Sequence, residues 1–157
     1  MTVAVRIIIV NISFLLIFPF SMREAIWFWK KAFVRTEWVF TETDPRGFYL
    51  VEAIVHCAEC HTPRNKLGGL SKSSWMMGGN NPTGAGTIPN ILTTTSDWSQ
   101  GDIEEYLLSG FTPEFDTAGG NMVEVIEGTK HLTTKDRAAI AKYIKDLSAR
   151  NNYNEKK

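Results

Sequence analysis

Apolar residues run almost unbroken from Ile7 to Phe20, interrupted only at Asn11, Ser13 and Pro19, and no charge lies between Arg6 and Arg23. A membrane-crossing helix needs about 20 apolar residues and the apolar part of an export signal about 7–15, so this run reads as an export signal or a short anchor. No A-x-A cleavage pattern follows it, which favours a retained anchor. The next stretch, "REAIWFWKKAFVRTEWVF", interleaves Trp27, Phe28, Trp29 and Trp38 with Lys30, Lys31 and Arg35, the composition of a membrane interface. The same composition suits a segment packed on a partner domain, because the aromatics do not fall on one clean helical stripe.

Beyond residue 43 the pattern turns helical. In "DPRGFYLVEAIVH" Pro45 stands at a start signal, and Phe48, Leu50, Val51, Ile54 and Val55 recur at helical spacing, which predicts a helix running into the cysteines that follow. "WSQGDIEEYLLSG" carries Ser99 with Asp102 three residues on, a capping box, and Gly110 as a stop. "LTTKDRAAIAKYIKDLSAR" repeats the start signal at Thr133 and Asp136 and places Ala139, Ile140, Tyr143, Ile144 and Leu147 on one face. Residues 67–95 are rich in Gly, Asn, Ser, Thr and Pro without a usable period and read as a long loop. No run reads as a strand. A small all-helical domain with that much loop suggests a large prosthetic group at its centre.

Composition narrows the classes further. The 157 residues suffice for one modest domain plus an anchor, read as 1–43 hydrophobic segment and connector, 44–150 folded domain and 151–157 polar tail. Net charge is zero, which leaves no global basic field of the kind that binds nucleic acid. Two cysteines cannot staple a disulfide-framed scaffold.

Those cysteines carry the chemistry. "VHCAECHTPRN" places Cys57 and Cys60 three apart with His61 immediately after. On a helical turn residues three and four apart share a face, so both thiols and the imidazole project together. C-x-x-C-H is the attachment pattern of a c-type haem: the thiols add to its two vinyl groups and the imidazole reaches its iron. A zinc site needs a further ligand pair, which His56 and His131 do not form, and a thioredoxin-like pair needs a βαβ context that is absent. His56 lies off the shared face and reads as a helix-end or surface residue. The sixth iron ligand would come from Met or a second His. Met22 precedes the domain; Met76, Met77 and Met122 all remain candidates on spacing.

From Arg46 to Leu147 the chain resembles a haem domain of the bacterial membrane-bound multihaem cytochromes c, the electron-accepting subunits of periplasmic alcohol, gluconate and related dehydrogenases. The stretches that carry the likeness are "RGFYLVEAIVHCAECHTPRN", "IPNILTTTSDWSQGDIEEYLLSGFTPEFD" and "GGNMVEVIEGTKHLTTKDRAAIAKYIKDL". The resemblance implies an all-α, class I cytochrome c fold, one covalent haem c on Cys57 and Cys60, His61 as proximal ligand and Met122 of the "GGxM" stretch as distal ligand. It also implies that the Pro89 carbonyl accepts from the His61 ring, and that Arg64 and Trp98 lie near the haem propionates. The expected function is one-electron transfer without substrate chemistry, from a dehydrogenase donor to an oxidase or quinone-linked acceptor, at the periplasmic side of the inner membrane with residues 7–38 as the membrane contact. An open distal site would instead make a haem enzyme or gas sensor. The resemblance departs in one respect: the family carries two or three C-x-x-C-H motifs and this chain has one, with "FPFSMREAIWFWKKAFV" resembling the connector before a second haem domain.

Overall fold

The computed structural model describes residues 23–34, 44–81 and 84–155. The apolar run 7–20 and Trp38 lie outside the described residues. The chain divides into two compact units, Met1–Arg35 and Thr36–Lys157. Within the first, helix α1 (Arg23–Phe33) opens on Glu24 and closes on Lys30 and Lys31, each sign opposing the helix dipole. Lys31 sits 5.2 Å over the Trp27 ring, and Trp27 and Phe28 meet edge-on at 4.9 Å. Among the described residues no helix is long and apolar enough to cross a membrane.

The second unit is built around one long helix. Asp44 caps α2 (Pro45–Phe48), its carboxylate accepting from the Arg46 and Gly47 amides at 2.9 and 3.0 Å, with Pro45 at the first helical position where no N–H is needed. From Tyr49 to Ile54 the same rod continues as a π-helix. The Val55 amide closes it on the Leu50 carbonyl at 2.8 Å. The expected single helix into the cysteines therefore stops short. His56 takes a left-handed φ of 56°, and a separate one-turn helix α3 (Cys57–His61) begins after it. His56 is exposed at that helix start.

The loop 67–95 contains more order than its composition predicts. Gly79–Asn80 (β1) and Thr87–Ile88 (β2) pair antiparallel, Gly79 opposite Ile88 and Asn80 opposite Thr87. Two-residue strands are too short to leave a periodic signature. Asn90 then caps α4 (Ile91–Thr94) by accepting from the Thr93 amide at 3.2 Å. Helix α5 (Gln100–Ser109) has the expected reciprocal capping box between Ser99 and Asp102 and ends at Gly110, φ 81°. Helix α6 (Met122–Thr129) is not among the helices read from the sequence: Met122, Val125 and Ile126 stand at helical spacing, but the run is short and has no side-chain cap to mark its start. Helix α7 (Thr134–Glu155) starts where Thr133 accepts from the Asp136 amide at 3.1 Å and continues into the segment read as a tail.

Helices α2, α4 and α5 all pack on α7. Of the face the sequence marks, Ile140, Tyr143, Ile144 and Leu147 are buried, while Ala139 is only partly buried and Ala141, off that reading, is fully enclosed. Tethers fix the arrangement. Arg46 pairs with Asp136 at 2.7 Å, Thr129 Oγ1 donates to the Leu107 carbonyl at 2.7 Å, and Lys145 Nζ donates to the Ser96 carbonyl at 2.9 Å. Gly47 is where α2 approaches most closely: a Cβ there would stand 2.3 Å from the Ala139 carbonyl oxygen and 2.9 Å from Tyr143 Cβ.

Candidate functional site

Helix α3 gathers Cys57, Cys60 and His61 in a single turn, as the spacing requires. Both cysteines are free and half-buried. Burial first, and the Glu52 carboxylate second, push the Cys57 thiol up to about 12. That is opposite to the lowered thiol of a reactive redox pair. Among the described residues no three His, Cys, Asp or Glu side chains converge as a metal cage, so a structural zinc donor set is not assembled there.

His61 is oriented by its backbone surroundings. Its Nδ1 lies 2.8 Å from the Pro89 carbonyl oxygen. A carbonyl only accepts, so Nδ1 carries the proton and Nε2 keeps its lone pair for another partner. Burial lowers the His61 pKa, with the Pro89 bond acting in the other direction, which favours the neutral, ligating imidazole.

The position of Pro89 follows from three hydrogen-bond tethers, one of them to a side-chain hydroxyl, that spacing did not reveal. The Gly78 amide donates to the His61 carbonyl at 2.7 Å, the Met76 amide to Thr62 Oγ1 at 3.0 Å and the Ile91 amide to the Met76 carbonyl at 3.1 Å. Gly78 has φ 79°, and a Cβ on it would fall 2.7 Å from both the Asn90 nitrogen and the Ile88 carbonyl oxygen and 2.9 Å from the Pro89 carbonyl carbon. Only glycine lets the 76–78 segment lie this close to Pro89. The "MMGG" sequence was the available signal for such a turn.

The methionines differ in access. Met76 is fully enclosed by its own chain, 0% exposed, and has no surface to offer a group outside it. Met77 and Met122 are partly buried against the same core that Cys57 borders, with Met122 at the first position of α6. Arg64 is committed locally: its guanidinium donates to the Glu59 carboxylate at 2.5 Å, the Glu59 carbonyl at 3.1 Å and the Gly68 carbonyl at 3.0 Å, clipping the following loop to α3. Trp98 is 8% exposed and meets Tyr106 edge-on at 5.4 Å, while its indole N–H finds no hydrogen-bond partner among the described residues. A buried donor without an acceptor is costly, and an acidic group supplied from outside the chain would satisfy it. Two free thiols, an imidazole with a free Nε2 and an orphaned buried donor together fit a haem bearing vinyl groups, iron and propionates.

Comparison with known proteins agrees with this chemistry. A diheme cytochrome c-type protein of Cereibacter sphaeroides is 50% identical over 138 residues, covering 85% of this chain and 47% of the relative. The fructose dehydrogenase cytochrome subunit of Gluconobacter japonicus is 37% identical over 145 residues, 85% of this chain and 29% of the relative. The gluconate 2-dehydrogenase cytochrome c subunit of Pantoea cypripedii is 32% identical over 149 residues, 84% of this chain and 34% of the relative. The chain thus spans about half or less of the length of these relatives. The family profile for cytochrome c matches residues 46–148. The chain belongs to the cytochrome c family, whose members carry covalent haem c and act as electron carriers rather than enzymes.

Proposed function

We propose that this chain binds one haem c through thioethers at Cys57 and Cys60, with His61 and Met122 as its axial ligands. It would accept single electrons from a dehydrogenase and deliver them to an oxidase or quinone-linked acceptor of the respiratory chain. The observation that carries the reading is the His61–Pro89 hydrogen bond, which leaves Nε2 free on the turn that presents both thiols. The haem supplies a reversible one-electron couple; the chain orients the imidazole, limits water around the iron and leaves an edge accessible to partners. Met122 is favoured over Met76 because Met76 is wholly enclosed, and over Met77 by the resemblance of "GGNM" to the family's ligand stretch. Trp98 would donate to a propionate. Arg64, engaged with Glu59 and Gly68, would hold the loop beside it.

The dehydrogenase donor is inferred from the fructose and gluconate dehydrogenase subunits among the relatives. Contact with the periplasmic face of the inner membrane through residues 7–38 is supported by the apolar run and by the exposed Trp27 and Phe28 beside Lys31 on α1. Replacing Met122 tests the ligand set. Met122→Ala should remove the long-wavelength Met–iron band of the ferric spectrum, lower the reduction potential and open the iron to carbon monoxide, while Met77→Ala should leave all three intact. The reverse result would reassign the ligand to Met77.

A further inference from the structure

Glu52 is an acid set in the apolar run "YLVEAIV", half-buried in the π-helix that leads to Cys57. Its Oε1 accepts from Trp75 Nε1 at 3.0 Å and from the Tyr143 hydroxyl at 2.9 Å. Both donors are neutral, and no Lys or Arg pairs with this carboxylate among the described residues. Its charge is therefore fixed in place without being cancelled by a cation. Three separate parts of the fold converge on it: the π-helix, the 67–95 loop and α7. Partly withdrawing a carboxylate from water costs free energy, so one held by two neutral donors, with no cation paired to it among the described residues, invites a functional explanation. π-helical turns also occur frequently at functional sites.

The π-helix packs against α3. Glu52 stands five residues before Cys57, and its field is felt at the Cys57 sulfur as the largest contribution after burial. This carboxylate therefore belongs to the element packed against the turn where the chain would join the haem, held there by Trp75 and Tyr143.

We propose that Glu52 tunes the electron-transfer reaction, acting as a fixed negative charge beside the Cys57 attachment point that favours ferric over ferrous iron and holds the reduction potential down. The inference rests on the haem reading above. Its sign follows from charge alone. Reduction adds one electron to the iron and removes one positive charge from it, and a nearby anion opposes that loss; no residue of the chain changes oxidation state.

The test is Glu52→Gln, which keeps shape and an acceptor oxygen and removes only the charge. A redox titration of the holoprotein should show the midpoint moved to more positive potential, a several-fold shift of the one-electron equilibrium toward the ferrous form, with the ferric spectrum unchanged. Tyr143→Phe keeps the charge and removes a donor that disperses it, so its midpoint should stay at or below that of wild type. A Glu52→Gln midpoint unchanged or lowered, whatever the thermal unfolding temperature does, would overturn the proposal and leave Glu52 a structural strut. So would a rise in both variants together, the mark of general loosening. Failure of the haem reading itself is recognised separately, by wild-type protein that loses its colour on acid–acetone extraction, and would remove the basis of this inference.

Discussion

His61 shows how a single backbone contact sets the chemistry available at one residue. With Nδ1–H donating to the Pro89 carbonyl, the ring is fixed in rotation and tautomer, and its remaining nitrogen becomes the more basic. The cysteine pair and the histidine were legible in five consecutive letters, because the reaction demands that spacing. The Pro89 contact came from the family pattern, and the reason it holds was not legible: it depends on Gly78, seventeen residues from His61, lying flat against residues 88–90. Gly78→Ala should cost about 1–2 kcal/mol for the left-handed backbone alone, with a further penalty for displacing Pro89. Slackening that hydrogen bond removes electron density from the imidazole, so the reduction potential should rise as the thermal unfolding temperature falls. A variant with both properties of wild type would show that Gly78 does not position Pro89. Glu52 was equally hidden, since an acid inside an apolar helix reads as an exposed edge until its two donors are seen.

The helices α5 and α7 were readable because a local start signal precedes a periodic run long enough to see, whereas α4, though capped by Asn90, is only four residues long and α6 has no side-chain cap. Ser99 and Asp102 satisfy one another within four residues, and the Ser99 hydroxyl and backbone amide hold the Asp102 carboxyl below its usual range. The Arg46 guanidinium does the same for Asp136 at the head of α7. Carboxyl groups lowered by folding bind protons more weakly in the native state. Their contribution is present above the unfolded value near 3.9 and is lost as pH falls through the folded one. Stability should therefore decline on acidification below about pH 4. Asp102→Asn should flatten that decline, and an identical pH profile would show the cap contributes nothing to it. Ser99→Ala should cost about 1 kcal/mol at neutral pH by denaturant unfolding. Gly47→Ala should cost more, about 1–3 kcal/mol, because its Cβ would meet the α7 backbone at Ala139. Helix α6, by contrast, is short and lacks a side-chain cap, and is tied to α5 by Thr129. Contacts of that kind leave no trace in a local pattern.

At the scale of the molecule, a helical frame around α7 carries the attachment turn on one segment and the proposed distal methionine on another, while α1 belongs to a separate compact unit. With three basic residues against one acid and Trp27 and Phe28 exposed, α1 has the chemistry of a helix at an anionic membrane surface. After expression with the haem-attachment machinery, colour should sediment with membranes and be released by detergent but not by salt alone; colour in the soluble fraction would remove the membrane contact from the account. The central claim is covalent attachment of a single haem c at Cys57 and Cys60. Intact-mass measurement of the denatured protein addresses it most directly. The account predicts a polypeptide heavier by one haem, stable to acid–acetone extraction, with no added haem in the double variant Cys57→Ala, Cys60→Ala. A wild-type polypeptide with no added mass, or a haem that leaves on extraction, would contradict it.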